Sequence, residues 1–138
     1  MKPMSGLCRI GVAIDEDLLR QFDGLLERKG YPNRSEGFRD LIRDALVQEQ
    51  TTDPERHAVG TLTLIYDHHV RQLADKLTGM QHGHYREIIS TLHVHMDHDN
   101  CLEVLVLRGR AGELRRIADK LISTKGVKHG RLTLTTTG

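Results

Sequence analysis

Apolar and polar residues alternate near the start of the chain, from Cys8 to Ile14, and this period of two predicts a short β-strand. The period then changes to that of an amphipathic helix, which we expect Asp15 to cap and Gly30 to end. A second helix should begin after Asn33, which has capping-box spacing to Glu36. The first part of the chain therefore predicts the order strand, helix, helix.

The two predicted helices carry more apolar surface than one copy of this unit can bury. Their apolar residues recur at helical spacing: Leu18, Leu19, Phe22, Leu25 and Leu26 in the first helix, and Phe38, Leu41, Ile42, Ala45 and Leu46 in the second. A single short strand is also unstable without a partner. The pattern therefore predicts an intertwined dimer of this unit.

A polar stretch from Gln48 to Arg56 separates this unit from the rest of the chain. It lacks apolar residues and contains a proline, so it is predicted to be a linker or hinge. We expect an N-terminal unit at residues 1–50, a linker at 51–57 and a second unit at 58–138.

Two kinds of period alternate in the second unit and predict the order βαββαβ. Strands are expected at Ala58–Tyr66, at the segment around His93, at Cys101–Leu107 and at Val127–Leu134. Apolar residues at helical spacing predict the two helices: Val70, Leu73, Ala74 and Leu77 in one, and Leu114, Ile117, Ala118, Leu121 and Ile122 in the other. This order is typical of an α+β fold with a four-stranded antiparallel sheet, both helices on one face and the other face open for self-association.

Three histidines and one cysteine stand out as candidate metal ligands: His82, His93, His95 and Cys101. His93 and His95 are two residues apart, so they point to the same face of a strand. The turn-like sequence that follows would bring Cys101 back beside them if the two strands form a hairpin. Imidazole and thiolate ligands together suit a borderline transition metal.

Composition narrows the classes of protein to which the chain can belong. The formal net charge of the 138 residues is +1, so no overall basic field indicates nucleic acid, and histidine is overused, with nine residues. Two cysteines are too few for a disulfide framework and suit a reducing cytoplasm. No apolar run is long enough to span a membrane, and the N-terminus lacks a secretory pattern. We expect a cytoplasmic protein.

The sequence resembles the nickel-responsive transcriptional regulators of the NikR family over nearly its whole length. The matching motifs are Asn33-Arg34-Ser35-Glu36 with Arg39-Asp40, Gln81-His82, Thr91-Leu92-His93-Val94-His95 through Cys101-Leu102-Glu103, and Gly126-Val127-Lys128-His129-Gly130. The resemblance implies an N-terminal ribbon-helix-helix (βαα) dimer that reads double-stranded DNA. It also implies a C-terminal ferredoxin-like, ACT-like domain that forms a homotetramer, as a dimer of dimers, and binds nickel.

The resemblance also implies roles for the candidate ligands. His93, His95 and Cys101 would come from one subunit and His82 from a neighbour, with one Ni(II) per subunit. Three nitrogens and one sulfur suit planar Ni(II), but Cu(II) could bind more tightly and zinc would take a tetrahedron.

Four more polar residues are secondary candidates for metal-related roles, and a fifth, His68, is a weaker one. Gln81 and Glu103 match positions that would support the metal site from outside, although solvated polar residues are as good an interpretation. The family implies a weaker metal or K(+) site at Glu36 and Asp40, whereas such helix pairs are usually just a solvated face. His68 matches a position near secondary metal sites, but a solvated histidine at a helix start is the preferred interpretation.

The resemblance assigns base reading to the outward positions of the strand, Arg9, Gly11 and Ala13. Arginine can bond guanine bidentately and Ala13 can contact a thymine methyl, but Gly11 and Ala13 lack the donors that family members carry there, which leaves the operator open. Residues 1–50 hold eight Lys or Arg against nine acids. Binding to DNA therefore needs local phosphate contacts, such as Arg34 at the start of the second helix.

The predicted function is a nickel-responsive regulator, a repressor of nickel-uptake genes, rather than an enzyme. Four protein ligands close a planar site, whereas a metalloenzyme needs an open position. Two alternatives stay open: an amino-acid-binding regulator with an ACT-like fold, and a metal-binding protein specific for copper or zinc.

Overall fold

The computed structural model describes residues 6–70 and 72–137, and two compact units divide inside a helix, after Arg43. The elements in chain order are α1 Glu16–Lys29, α2 Arg34–Thr52, β1 His57–Asp67, α3 Leu73–His82, β2 Ile88–His95, β3 Asn100–Arg110, α4 Ala111–Ile122 and β4 Val127–Thr135. Among the described residues, no helix combines the length and the apolar character needed to cross a membrane.

The N-terminal unit, which ends at Arg43, is built on α1 and the first half of α2. Gly30 ends α1 in the left-handed conformation, with φ 78°, which glycine adopts without steric cost. The side chain of Asn33 accepts a hydrogen bond from the Glu36 amide at 2.9 Å and so caps α2 as predicted. Between the helices, the rings of Phe22 and Phe38 stack with centroids 4.8 Å apart.

The predicted strand at Cys8–Ile14 is absent in the single chain, because residues 6–15 form neither helix nor strand. A strand requires ladder hydrogen bonds to a neighbour, and the described residues of this unit offer no second strand. Much of the apolar surface of this unit is also exposed: Val12, Leu18, Leu41 and Ile42 are each about half exposed or more. Both observations agree with a unit that is completed by a second copy.

Two further details differ from the sequence-based expectation. Asp15 precedes α1 as predicted, but its side chain makes no capping hydrogen bond; its carbonyl accepts one from the Leu19 amide instead. The helix α2 continues to Thr52, into the polar stretch predicted as a linker. Polar residues such as Gln48 and Glu49 propagate a helix well once it has begun, so lack of apolar residues did not end it.

The C-terminal unit, which begins at Asp44, contains the predicted βαββαβ order. Its four strands form one antiparallel sheet with the spatial order β2-β3-β1-β4, so β2 and β4 are the edges. Alternate residues of β1 and β3 are buried. This alternation is the pattern of a sheet that is covered on one face.

Both helices of the C-terminal unit cover that same face. One apolar cluster joins β1 and β3 to Leu73 and Leu77 of α3 and to the buried side of α4: Ala111, Leu114, Ile117, Ala118 and Leu121. The predicted stripe of α3 is only partly correct. Val70 lies before the helix and Ala74 is exposed, because the helix begins at Leu73 and turns Leu77 and Gln81 inward instead.

Within the described part of the C-terminal unit, no helix covers the other face of the sheet. It carries partly exposed apolar residues of three strands, among them Val59, Leu92, Val94, Val104 and Val106. An exposed face with this much apolar surface is typical of a protein–protein contact.

The buried side of α4 should dominate the stability of the C-terminal unit. Replacing Leu121, which is 1 % exposed, with alanine should lower the free energy of unfolding by about 2–5 kcal/mol, because a cavity remains in the core. Lys120→Ala, one residue earlier on the exposed side, is the control and should change it by less than about 0.5 kcal/mol. Urea unfolding of the metal-free protein measures both; equal effects would contradict this packing.

Candidate functional site

A tight turn between β2 and β3 sets the geometry of the candidate site. One carboxylate oxygen of Asp97 accepts hydrogen bonds from the Asp99 and Asn100 amides, at 2.9 and 2.8 Å. The Asn100 side chain and these amides hold the pKa of Asp97 below its ordinary value, so the carboxylate is charged and the turn is firm at neutral pH. The strands then pair with His95 opposite Cys101 and His93 opposite Glu103, which confirms the predicted hairpin.

Cys101 and His95 form the close pair of the site. The Cys101 sulfur lies 3.5 Å from His95 Nδ1, and Cys101 is fully buried whereas His95 is exposed. Burial raises the pKa of the Cys101 thiol, and the nearby carboxylates of Glu103, Asp67 and Asp97 raise it further. The metal-free thiol is therefore neutral at ordinary pH and must lose a proton before it can bind a cation.

His93 lies two residues before His95 on the same face of β2, with its ring centroid 5.1 Å from that of His95. Its Nδ1 is 3.0 Å from the Tyr66 hydroxyl and 3.2 Å from Oε1 of Glu103, which is 7 % exposed. Burial, with the charges of Glu103 and Cys101, raises the pKa of Tyr66 to about 12, so its hydroxyl keeps its proton. With Nδ1 engaged in this way, Nε2 is the nitrogen left for a metal.

Glu103 also connects the hairpin to α3 through Gln81. The Gln81 amide donates a hydrogen bond to Oε2 of Glu103 at 2.7 Å, and its carbonyl oxygen accepts one from the Thr91 hydroxyl at 3.2 Å. Gln81 is 8 % exposed and immediately precedes His82. Buried polar groups with satisfied partners fix one arrangement of the elements that carry them.

His68 lies near the site, which the sequence pattern alone did not predict. One ring nitrogen of His68, one ring nitrogen of His95 and the Cys101 sulfur all lie within 4.8 Å of one another. Nδ1 of His68 is buried and has no hydrogen-bond partner among the described residues. Position offers a weak signal in the sequence: His68 follows β1, whose end pairs with the start of β3 at Cys101.

His82 does not join the other three predicted ligands within the described chain. It is the last residue of α3 and is exposed, and neither group of three neighbouring donor residues found in residues 6–70 and 72–137 includes it. The second of those groups is His69, His98 and Asp99, all exposed at the same end of the sheet. His69 and His98 each lie close to one oxygen of Asp99, at 3.1 and 3.3 Å.

The residues predicted to bind DNA are all exposed in the N-terminal unit. Arg9, Gly11 and Ala13 lie in the irregular segment before α1. Arg34 is the first residue of α2 and forms a two-pronged ion pair with Asp23 of α1, with both hydrogen bonds at 2.9 Å. Arg34 therefore meets a carboxylate within its own unit.

The two acids of the predicted weak cation site are paired with side chains of their own unit. Glu36 forms an ion pair with Arg39, and Asp40 binds the Tyr31 hydroxyl at 2.6 Å and the Arg43 guanidinium at 3.3 Å. The Asp40 hydrogen bond raises the pKa of Tyr31. A potassium ion at Glu36 and Asp40 would have to compete with these cationic side chains.

The donor set of the hairpin fits a transition metal rather than a hard cation. One thiol and the imidazoles beside it, among them that of His68, offer soft and borderline ligands. Magnesium and calcium bind oxygen ligands, whereas the donors of this cluster are nitrogen and sulfur.

Comparison with known proteins gives the same combination of units. The family model described as the NikR C terminal nickel binding domain matches residues 59–135, and the model described as ribbon-helix-helix protein, copG family, matches residues 9–49. A protein of Solibacter usitatus is 68 % identical over 98 % of this chain and 97 % of its own length. Proteins of Geobacter sulfurreducens and Caldanaerobacter subterraneus are 61 % and 53 % identical over 98 % of this chain, and over 97 % and 88 % of their own lengths. All three carry provisional names as nickel-responsive regulators.

The two family models cover both units of the chain, and neither model describes an enzyme. The N-terminal match assigns a DNA-binding ribbon-helix-helix, and the C-terminal match, which spans more than half of the chain, assigns a nickel-binding domain. The chain belongs to the NikR family of nickel-responsive transcriptional regulators.

Proposed function

We propose that this protein represses nickel-uptake genes by binding operator DNA as a homotetramer when Ni(II) occupies one site per subunit. The site would consist of His93, His95 and Cys101 of one subunit with His82 of the partner subunit. The observation that carries the proposal is the Cys101 sulfur 3.5 Å from His95 Nδ1, at a hairpin that also aligns His93. The bound metal would supply a coordination bond between subunits.

The place of His82 supports a site at an interface. His82 is exposed at the end of α3 and outside the donor groups of its own described chain, so it is accessible to another subunit. The exposed apolar face of the sheet is opposite the face that carries His93, His95 and Cys101, and it supplies surface for a further contact between subunits. A dimer of ribbon-helix-helix units and a second contact through the sheets would together give a dimer of dimers.

Glu103 and Gln81 would support the site without binding the metal. Glu103 holds Nδ1 of His93, which leaves Nε2 for the metal, and Gln81 ties Glu103 to the end of α3. A movement of His82 toward a metal would therefore shift Gln81 and, through its hydrogen bond, Glu103 and His93. Such supporting partners typically change metal affinity by about 10–100-fold.

The same donors leave two other metals as competitors. Cu(II) generally binds such ligands more tightly than Ni(II). Zinc prefers tetrahedral coordination, and His68 could serve as a ligand to it because it lies beside Cys101 and His95. The amino-acid-binding alternative has no comparable support, since the family match assigns metal binding to this domain.

Nickel would act on DNA binding by restricting the arrangement of the two ribbon-helix-helix dimers. Without metal, few arrangements would match the spacing of two operator half-sites. Metal across the interface would favour one arrangement, and the increase in operator affinity is limited to the preference of the metal for that arrangement. Potassium at Glu36 and Asp40 would be a secondary contribution.

Cys101→Ser should remove tight nickel binding and leave the fold intact, because the thiolate is the soft ligand. The loss should exceed the range of about 10–100-fold that follows the loss of a supporting residue. Nickel titration followed by sulfur-to-metal charge-transfer absorbance measures it, with Cys8→Ser as the control because Cys8 is exposed. An unchanged spectrum in Cys101→Ser would refute the assignment.

Nickel affinity should fall as the pH is lowered, because binding displaces the proton of Cys101.

In the metal-free Cys8→Ser protein, thiolate absorbance should appear at a higher pH in the folded state than in urea, since burial raises the pKa of Cys101 above its ordinary value of 9.0. The neutral thiol thus stabilises the fold below the unfolded pKa, and this contribution is lost as pH rises through the folded pKa. Coincident folded and unfolded titrations would contradict the buried thiol.

Mixing two inactive chains should restore nickel sites if His82 acts from a partner subunit. His82→Ala and Cys101→Ala chains each lack one ligand of every site, but mixed tetramers would contain some sites with all four. Nickel titration after subunit exchange should show recovered tight binding. Mixing two samples of the same variant is the control, and no recovery in the mixed sample would place His82 within its own subunit or outside the site.

Arg9→Ala should weaken operator binding and leave nickel binding unchanged, because Arg9 would read a base. The expected loss is about 1–3 kcal/mol for each bidentate contact to guanine. Binding of operator and scrambled duplexes at fixed salt, with and without nickel, separates specific from sequence-independent affinity. An equal loss on both duplexes would make Arg9 a phosphate contact instead.

A further inference from the structure

Four arginines of the N-terminal unit are each paired with a carboxylate. Three pairs join residues three apart on one helix: Arg20 with Asp17, Arg39 with Glu36, and Arg43 with Asp40. The fourth, Arg34 with Asp23, joins α2 to α1. A unit that binds a polyanion thus meets much of its own positive charge with its own acids.

The pair of Arg34 and Asp23 differs from the others in its geometry. Nε of Arg34 donates to one carboxylate oxygen of Asp23 and Nη2 to the other, both at 2.9 Å. This parallel arrangement uses the planar fork of the guanidinium and is the strong, oriented form of the interaction. Arg34 also holds the pKa of Asp23 below its ordinary value, so the carboxylate remains charged at neutral pH.

A DNA phosphate presents the same chemistry to Arg34 as Asp23 does. Both offer two anionic oxygens that the guanidinium fork can bind side by side. Arg34 is 55 % exposed and lies at the first residue of α2, so phosphate can reach it, but Nε and Nη2 are already bound. A phosphate that takes those two donors must displace Asp23.

We propose that Asp23 is an internal competitor for DNA phosphate that holds Arg34 in a neutral pair and so suppresses sequence-independent DNA binding. This inference rests on the proposed contact between Arg34 and phosphate. The effect would matter for a regulator, because weak sequence-independent binding leaves operator occupancy dependent on base contacts and on metal. Asp23 thereby limits sequence-independent affinity without touching DNA.

The test is Asp23→Asn in the full-length protein, with Asp17→Asn as the matched control. Both changes remove one negative charge from α1 and release one arginine, but Asp17 holds Arg20 and not Arg34. Fluorescence anisotropy with a scrambled duplex at several salt concentrations gives the sequence-independent affinity. An operator duplex measured alongside, with nickel, gives the specificity ratio.

We expect Asp23→Asn to bind the scrambled duplex about two- to fivefold more tightly for each Arg34 engaged, in line with the weak net value of exposed ion pairs. The plot of log affinity against log salt should steepen by about 0.9 for each additional phosphate that the protein neutralises. The operator duplex should be bound more tightly as well, because a phosphate contact does not depend on base sequence, and Asp17→Asn should change these values less. Adding Arg34→Gln to Asp23→Asn should abolish the tighter binding.

Three outcomes would overturn the inference, and they differ from one another. Equally tightened binding in Asp23→Asn and Asp17→Asn would mean a general effect of charge. Weaker binding by Asp23→Asn would mean that Asp23 orients Arg34 toward phosphate. Unchanged affinity of Arg34→Gln for the operator duplex with nickel would remove the proposed phosphate contact itself, separately from the role of Asp23. Thermal unfolding checks that each variant is folded, and Asp23→Ser replaces the asparagine variant if that one is not.

Discussion

The pairing register of β2 with β3 is the constraint on which the candidate metal site depends. Side chains alternate between the two faces of a strand, so a slip by one residue would move His93 and His95 to the opposite face from Cys101. The hydrogen bonds that Asp97 accepts at the turn and the burial of alternate β3 residues both select the observed register. The close approach of Cys101 to His95 follows from that register.

A second constraint is the buried carboxylate of Glu103, which lies between His93 and Gln81. A charge with so little exposure is stable in a fold only when its oxygens have partners, and here one oxygen faces His93 while the other accepts from Gln81. The same charge contributes to the raised pKa values of Cys101 and Tyr66. In the metal-free state this network therefore favours a neutral thiol, and a bound cation would relieve that cost.

Each unit of the chain exposes several large apolar side chains. The N-terminal unit exposes residues of both helices, and the C-terminal unit exposes one face of its sheet. Because the hydrophobic effect favours burial of such surface, these faces support the proposed tetramer.

The order of elements from α1 to β4 could be predicted from the sequence, because hydrophobic period distinguishes helix from strand without knowledge of neighbours. The strand expected at Cys8–Ile14 is the exception. The pair His93 and His95, the returning Cys101 and the capping role of Asn33 followed in the same way from local spacing. Contacts between residues that are separated along the chain became apparent only in the folded structure. Examples are the place of His68 beside Cys101, Asp23 as the partner of Arg34, and Gln81 as the partner of Glu103. These contacts join residues that are far apart in the chain, and local patterns carry no information on which distant side chains packing brings together. The end of α2 was missed for the opposite reason, since a polar sequence is compatible with both a linker and a solvated helix.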